Sequence, residues 1–577
     1  MLSSQPQIVS PTPNTAKTPA ATAAEGLEPV ASKGEPIRQP TPKGYFNDLS
    51  SHGDGTHIQR PSTPGKSGFR VNTPPVAVPD NSDVVAHILP PSPTGAQSKM
   101  TASQRIASGS LDGTKKRIKD LFSVETQKLL EIIKVMIAEL ELGLKEDGNT
   151  LKCLPSFVTE LPDGKETGTY IALDMGGTNF RICEIGLNRS TRHPITIRQQ
   201  SFALSNAHKN GTGEELFDFM ASALSTFLNQ TGVPVSSGSA PPVYHIGFTF
   251  SYPTLQTGIA NGILLHWTKG LNCSGTVGND VGKMFQEALE RKKLKYATIA
   301  ALVNDTVGTL AGHAFVNPST VIGAICGTGS NACYVEDIGN VGKWKGPVPA
   351  SGKMIVNIEW GAFDNEKRVL PLTAYDAQLD GASINPGKQI FEKTIGGMYL
   401  GEIARLISVD LAQNGELFTP ADGSKGDNVV PESFLEQWRL DTGHLALMEV
   451  DDTPDLVEIQ ALLKKEFAIP DAVNTLQSRE LLQFIAHLVV ARAAIFTATA
   501  LSAILIKQGF RKRLVDTKST LAIDGSVFEK YPGFKDRMME TFRRIFGGFG
   551  DNINLELGKD GSGVGAGVIA ALVAKGM

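Results

Sequence analysis

At 577 residues, with 41% hydrophobic and 20% charged side chains, the chain holds enough apolar material for two or three globular domains with buried cores. Its formal net charge of -4 carries no basic excess that would draw it to nucleic acid or an anionic lipid surface, so neither is expected as a partner. The first residues lack the basic and apolar stretches of a signal peptide, and no uninterrupted apolar run approaches the roughly 20 residues that cross a bilayer. The cytoplasm is therefore the default compartment, with nuclear or mitochondrial-surface association left open.

Residues 1–110 are rich in Pro, Ser, Thr, Gly and Ala and poor in aromatics, a composition that cannot bury enough surface to fold alone; a disordered extension is expected. Its Ser/Thr-Pro steps at Ser10, Thr12, Thr18, Thr41, Thr63, Thr73 and Ser92 read either as phosphorylation sites of an arm that recruits a regulatory partner or as plain flexible tail. Order is expected from near Ser123. There Leu129, Ile133, Met136, Ile137 and Leu140 recur at helical spacing and Gly143 offers a stop, making 111–162 a helical segment packed on the larger domain. Pro162-Asp163-Gly164 marks a turn, and 170–174 reads as a buried strand ending in a carboxylate. Strand-like runs at 245–250, 298–303, 321–326 and 521–523 alternate with helical stretches such as 479–507, the pattern of an α/β protein. The cysteines Cys153, Cys183, Cys273, Cys326 and Cys333 are odd in number and have no metal-ligand spacing, so they read as reduced core thiols.

The chemistry-bearing segments are glycine turns. Leu173-Asp174-Met175-Gly176-Gly177-Thr178-Asn179-Phe180-Arg181 sets two glycines and a hydroxyl between a strand and the apolar run 182–185. Glycines let backbone N–H groups approach phosphoryl oxygens, and Thr178 and Asn179 offer neutral hydrogen bonds. Arg181 either neutralises phosphate charge or pairs with a structural carboxylate. Asp174 would sit where Mg²⁺ is hydrated. A similar turn, Gly327-Thr328-Gly329-Ser330-Asn331, follows another apolar strand, and Asp524-Gly525-Ser526 follows 521–523. Gly561-Ser562-Gly563-Val564-Gly565 opens an alanine-rich C-terminal helix and reads as helix packing. Neither a Walker loop nor a dinucleotide fingerprint is present.

The segments LDMGGTNFR, GFTFSYP, WTKG, NDTVGTL, GTGSNACY, NIEWGAF, PGKQIFEK and DGSV occur in the order found in eukaryotic hexokinases. From about Phe122 to the C-terminus the chain resembles that family, and GAFDNE, MYLGE and LSAILIK resemble its fungal hexokinases and glucokinases in particular. The resemblance implies an α/β, actin-like (ribonuclease-H-like) fold of two domains across a cleft, with 163–303 as the small domain and 304–577 as the large one. It implies ATP-dependent phosphorylation of a hexose at its C6 hydroxyl, feeding glycolysis, with glucose foremost and fructose or mannose next, and Mg²⁺ carried with the nucleotide.

On the matching positions the resemblance makes Asp305 the general base and Lys269 a sugar contact that steadies the transferred phosphoryl group. Ser251, Thr268, Asn304, Asn331, Glu359 and Glu392 would hold the sugar hydroxyls. Asp174, Gly176, Gly177, Thr178, Asn179, Arg181 and Thr328 would serve the phosphates, with Gly525 and Ser526 near the adenosine. No permanent metal site is expected. Without the resemblance, Asn304-Asp305 reads as a helix cap and Glu392 as an exposed helix acid. One departure stands out: Leu271 follows WTKG where the family usually carries Phe. Either this is a packing change, or it shapes the pocket for a bulkier C2 substituent, as in an N-acetylglucosamine kinase. A hexose sensor with little turnover is the reading from another class.

Overall fold

The computed structural model describes residues 110–191, 193–231, 243–420, 430–510 and 518–577. The expected disorder and phosphorylation steps of the N-terminal extension lie outside the described residues. Ordered chain begins earlier than Ser123: Ser110 caps the helix Leu111–Phe122, its Oγ accepting the Gly113 N–H at 3.1 Å. This helix falls inside the segment 111–162 expected to be helical, although only Thr114, Ile118 and Phe122 of it are buried. The helix Thr126–Lys145 follows with Leu129, Ile133, Met136, Ile137 and Leu140 buried, as the spacing predicts.

The strands in chain order are β1 (Leu154–Pro155), β2 (Thr167–Met175), β3 (Asn179–Asn188), β4 (Ile195–Ala203), β5 (Tyr244–Phe250), β6 (Thr254–Gly258), β7 (Asn261–Leu264), β8 (Ala297–Val303), β9 (Thr320–Cys326), β10 (Ser330–Asp337), β11 (Lys353–Asn357), β12 (Ser519–Asp524) and β13 (Ile553–Leu557). Every strand anticipated from the sequence lies within one of them. They form two mixed sheets, β4-β3-β2-β5-β8 and β1-β11-β10-β9-β12-β13, and a small β6-β7 hairpin. Each large sheet contains an antiparallel hairpin closed by a glycine turn, β2-β3 and β9-β10, and adds parallel strands beside it. The helix Asp305–Val316 leaves the end of β8 in the first sheet and the chain then enters β9 of the second, so it links the two.

The C-terminal helix Gly561–Ala574 packs back against Asp305–Val316 and the first sheet. Its glycines are required for that approach: a Cβ on Gly565 would lie 1.9 Å from the Gly308 carbonyl oxygen. The glycine run is thus helix packing, as read, while Ser562 Oγ reaches Arg181 and Asp174 at 2.9 Å each. All five cysteines are buried and free.

The helix Leu476–Lys507 revises one expectation. It is long and apolar enough to cross a bilayer, with a mean hydropathy of 2.0, yet 83% of its most apolar window is buried inside the fold. It is the central helix of the larger hydrophobic core, where the side chain of Arg492 is buried in bidentate contact with Asp376 at 2.6 and 2.7 Å.

Candidate active site

Asp305 sits where the apolar strand β8 gives way to a helix. Asn304 is the N-cap, its Oδ1 accepting the Thr306 N–H at 3.0 Å, which leaves Asp305 as the first helical residue. The cap reading of this pair is therefore true of Asn304 alone. Asp305 Oδ1 accepts the same Thr306 N–H at 2.8 Å. Its carboxyl is raised to about 6, first by burial and then by the nearby charge of Glu359, against the opposing Lys269 and Thr306 N–H, with a weaker repulsion from Asp174. Asp305, Glu359, Lys269 and Asp174, spread over 185 residues of sequence, therefore share one electrostatic neighbourhood.

Lys269 adopts a left-handed backbone at φ 55°, and Gly270 follows at φ 78°. This tight turn brings its Nζ within 2.9 Å of the Ser251 carbonyl and 5.2 Å from the centre of the Tyr252 ring. The Tyr252 hydroxyl in turn donates to the Gly176 carbonyl at 2.8 Å, and Gly177 lies against Lys269. The WTKG turn, the GFTFSYP segment and the first glycine hairpin are one assembly. Thr268 and Ser251 are half-buried beside it. Leu271 is buried in the hydrophobic cluster of the first sheet, which also holds Tyr252 and Phe250, as the packing account of this departure expects.

A second constellation comes from the other sheet. Glu359, at the end of β11, has φ 57° and ψ 54°; its Oε1 accepts Asn357 Nδ2 at 2.7 Å and Asn331 Nδ2 at 3.0 Å. Asn331 Oδ1 accepts the Glu359 N–H at 3.0 Å, closing the network. Burial raises Glu359 against these donors. Glu392 is the third residue of the helix Ile390–Ile395, and it is no exposed acid: desolvation pushes it up to about 7, with the Ser330 N–H opposing at 3.3 Å and Glu359 adding repulsion. Two carboxylates with raised affinity for protons, facing amides, form a wall suited to hydroxyl groups.

The phosphate candidates divide. Gly176, Gly177 and Thr178 form the β2-β3 turn, closed by the Gly176 N–H to the Asn179 carbonyl at 3.0 Å, with Thr178 and Asn179 exposed. Gly327-Thr328-Gly329 forms the β9-β10 turn with Thr328 exposed. Gly525 at φ 113° lies against this second turn, where a Cβ would fall 2.5 Å from the Cys326 carbonyl, and Ser526 adjoins Gly327. Arg181 follows its structural alternative: Nη2 lies 3.0 Å from Asp174, 2.6 Å from Asp560 and 2.9 Å from Ser562 Oγ. Ser562 Oγ also donates to Asp174 at 2.9 Å, while Asp524 accepts the Gly525 and Gly561 N–H groups at 2.7 and 3.2 Å. The ends of β2 and β12 are thereby tied through the start of the C-terminal helix.

Sequence reasoning missed Asn357, Gln389, Tyr252, Ser562 and Asp560. The first three stood inside or beside quoted motifs; Gln389 Oε1 is buried with no hydrogen-bond partner among the described residues. Ser562 stood inside the glycine run read only as helix packing, and nothing local marked Asp560. Among the described residues no three His, Cys, Asp or Glu side chains cluster as metal ligands.

Comparison with known proteins points to one family over most of the described residues. Two models, both described as hexokinase, match residues 114–315 and 321–572. A Spinacia oleracea hexokinase-1 is 38% identical over 463 residues, covering 79% of this chain and 90% of the relative. An Aspergillus niger glucokinase is 38% identical over 463 residues, covering 76% and 92%. The solved structure of a Schistosoma mansoni hexokinase complexed with glucose superposes with a TM-score of 0.68 at 32% identity, covering 80% of this chain and 99% of that one. The chain therefore belongs to the hexokinase family, the kinases that phosphorylate hexoses with ATP.

Proposed function

We propose that the chain transfers the terminal phosphoryl group of MgATP to the C6 hydroxyl of glucose, with Asp305 as general base. The observation that carries this is the Asp305 carboxyl, held at about 6 at a strand-to-helix junction between the two sheets. At neutral pH it is ionised yet a far better proton acceptor than an ordinary aspartate. It takes the C6 hydroxyl proton as that oxygen bonds to the terminal phosphorus; the bond from phosphorus to the bridging oxygen breaks and ADP leaves. Lys269 steadies negative charge on the phosphoryl group in flight.

Glu359 and Glu392 accept hydrogen bonds from sugar hydroxyls, and Asn304, Asn331, Ser251 and Thr268 complete the donors and acceptors. Gly176, Gly177, Thr178, Asn179 and Thr328 offer backbone and hydroxyl contacts to the phosphates, Gly525 and Ser526 to the adenosine. Mg²⁺, arriving on the nucleotide, supplies charge neutralisation, and the oxygen-rich donor set of Asp174, Thr178 and Asp524 fits a hydrated ion of that kind. Arg181 orients Asp174 through their contact at 3.0 Å. The lobes are read as 163–303 and 304–577, with the C-terminal helix packed across to the first. Leu271 lies buried in the core of the first lobe, which supports glucose over a sugar with a bulky C2 group.

The test is MgATP-dependent phosphorylation of glucose, fructose, mannose and N-acetylglucosamine by the full chain beside Asp305→Ala. Turnover of glucose, lost in the variant, upholds the reading. Glucose binding without turnover of any sugar overturns it in favour of a sensor.

A further inference from the structure

Glu359 and Glu392 come from different segments, a strand end and a short helix, and each is held in a conformation its own sequence does not favour. Glu359 is a non-glycine residue in the left-handed region. Helix Ile390–Ile395 has Gln389 at its N-cap, also left-handed at φ 54°, whose side chain makes no capping hydrogen bond. Something outside each segment must fix them, and the loop that follows Glu359 does both.

From Glu359 the chain makes a 3₁₀ turn, Trp360–Ala362, and reaches Asp364, which is 0% exposed and left-handed at φ 54°. The Asp364 carboxylate folds the next residues around itself: Oδ1 accepts the Arg368 N–H at 2.7 Å, and Oδ2 accepts those of Val369 and Leu370 at 3.0 and 2.7 Å. Its carbonyl accepts the Lys367 N–H at 2.8 Å. The Arg368 guanidinium reaches the buried Glu139 at 3.0 Å, anchoring the loop to the helix Thr126–Lys145. Four backbone groups are thus satisfied by one residue, which makes the loop rigid where a loop is ordinarily mobile.

Asn365, next in sequence, turns the other way. Its Oδ1 accepts the N–H of Ile390 at 3.2 Å, supplying from a distance the cap that Gln389 does not, two residues before Glu392. The same seam carries edge-on contacts of Trp360 and Phe363 with Phe391, ring centres 5.8 and 5.6 Å apart, and Gly361 close against Gln389 and Glu392. We infer that Asp364 and Asn365 are positioning residues for hexose recognition: Asp364 folds the loop behind Glu359, and Asn365 ties that loop to the helix of Glu392, so together they set the separation of the two carboxylates. The inference rests on the reading of those carboxylates as hexose ligands. Neither residue needs to touch the sugar.

The experiment uses the full chain and four variants, Asn365→Ala, Asn365→Asp, Asp364→Asn and Glu359→Gln, with glucose Kd by calorimetry, KM for glucose and for ATP, kcat and Tm. Asn365 is only half-buried, so Asn365→Ala folds and carries the test if Asp364→Asn does not. Asn365→Ala is expected to raise the Kd and KM for glucose about tenfold, the scale of one lost orienting hydrogen bond, with the KM for ATP within about twofold. Asn365→Asp keeps the accepting oxygen and is expected to recover most of the loss. Asp364→Asn, which sets an amide N–H₂ among backbone donors, is expected to exceed Asn365→Ala in glucose KM and to lower Tm. The inference is overturned if Asn365→Ala lowers Tm or active fraction while glucose Kd stays within twofold and Glu359→Gln raises it. If Glu359→Gln itself leaves glucose binding unchanged, the hexose wall is misassigned and the inference falls with its premise.

Discussion

In the proposed hexose wall the polar groups are engaged with one another: Glu359 accepts from two asparagines, Asn331 Oδ1 accepts the Glu359 backbone N–H, and Glu392 accepts the Ser330 N–H. In the phosphate turns the side chains of Thr178, Asn179 and Thr328 lie exposed, and the order resides in the backbone hairpins. On the proposed assignment, the difference follows from the ligands. Neutral hydroxyls reward directional acceptors fixed in advance in a low-dielectric wall, since a misplaced carboxylate there loses hydration for nothing. A phosphate chain carries its own charge and offers many oxygens, so flexible hydroxyls and backbone N–H groups suffice. Asp305 belongs to neither arrangement; it stands at the junction where one sheet hands the chain to the other.

Removal of the proposed base is the severest break. Asp305→Ala is expected to lower kcat by about 10²–10⁴-fold, read by steady-state kinetics, while calorimetric glucose binding changes far less. Next comes the wall itself: Glu359→Ala leaves Asn331 and Asn357 without their shared acceptor and is expected to raise the KM for glucose on the order of a hundredfold, with the KM for ATP unchanged. In the turns, Thr178→Ala and Thr328→Ala should each raise the KM for ATP only about tenfold and spare glucose. An equal effect of these two classes on both substrates would dissolve the distinction between wall and turns.

Smaller shifts sharpen it. Asp305 acts as a base only when ionised and is held at about 6, so kcat/KM should be flat at neutral pH and fall as pH drops through about 6. Because Glu359 is one of the charges that raise Asp305, Glu359→Gln should move this acid limb to lower pH; an unmoved limb would separate the two groups electrostatically. Last, Leu271→Phe puts a larger ring into the core beneath the first sheet. It is expected to cost about 1–3 kcal/mol by denaturant titration and to leave the preference among sugars as it was.

Much of this was legible from the chain. The strand runs 170–174, 245–250, 298–303, 321–326 and 521–523 are apolar, β-rich and bounded by turns, and both hairpin turns carry their glycines in place. The segment 111–162 reads as helical, but its periodicity is recognisable only from near Ser123, because the buried stripe of the helix Leu111–Phe122 is three residues long. The helix Leu476–Lys507 was visible as a helix, but its capacity to span a bilayer and its burial in the core were not separable from the sequence, since an all-round apolar surface suits both. The roles of Glu359 and Glu392 needed the family resemblance, as an acid in an apolar run or on a short helix has no local mark of function.

The sequence by itself determined the local units: which runs become strands, where the glycine turns fall, and that Asn304 and Asp305 stand where a strand becomes a helix. These depend on neighbours a few residues apart, and side-chain periodicity and turn chemistry register them directly. Only the tertiary structure decided what each charged group faces. Arg181 binds Asp560 from the far end of the chain, Asp305 feels Glu359 and Asp174, and Asn365 caps a helix that begins at Ile390. Such pairings depend on how two sheets and a returning C-terminal helix meet, and Coulomb and hydrogen-bond energies follow distance in space, which separation along the chain leaves undetermined.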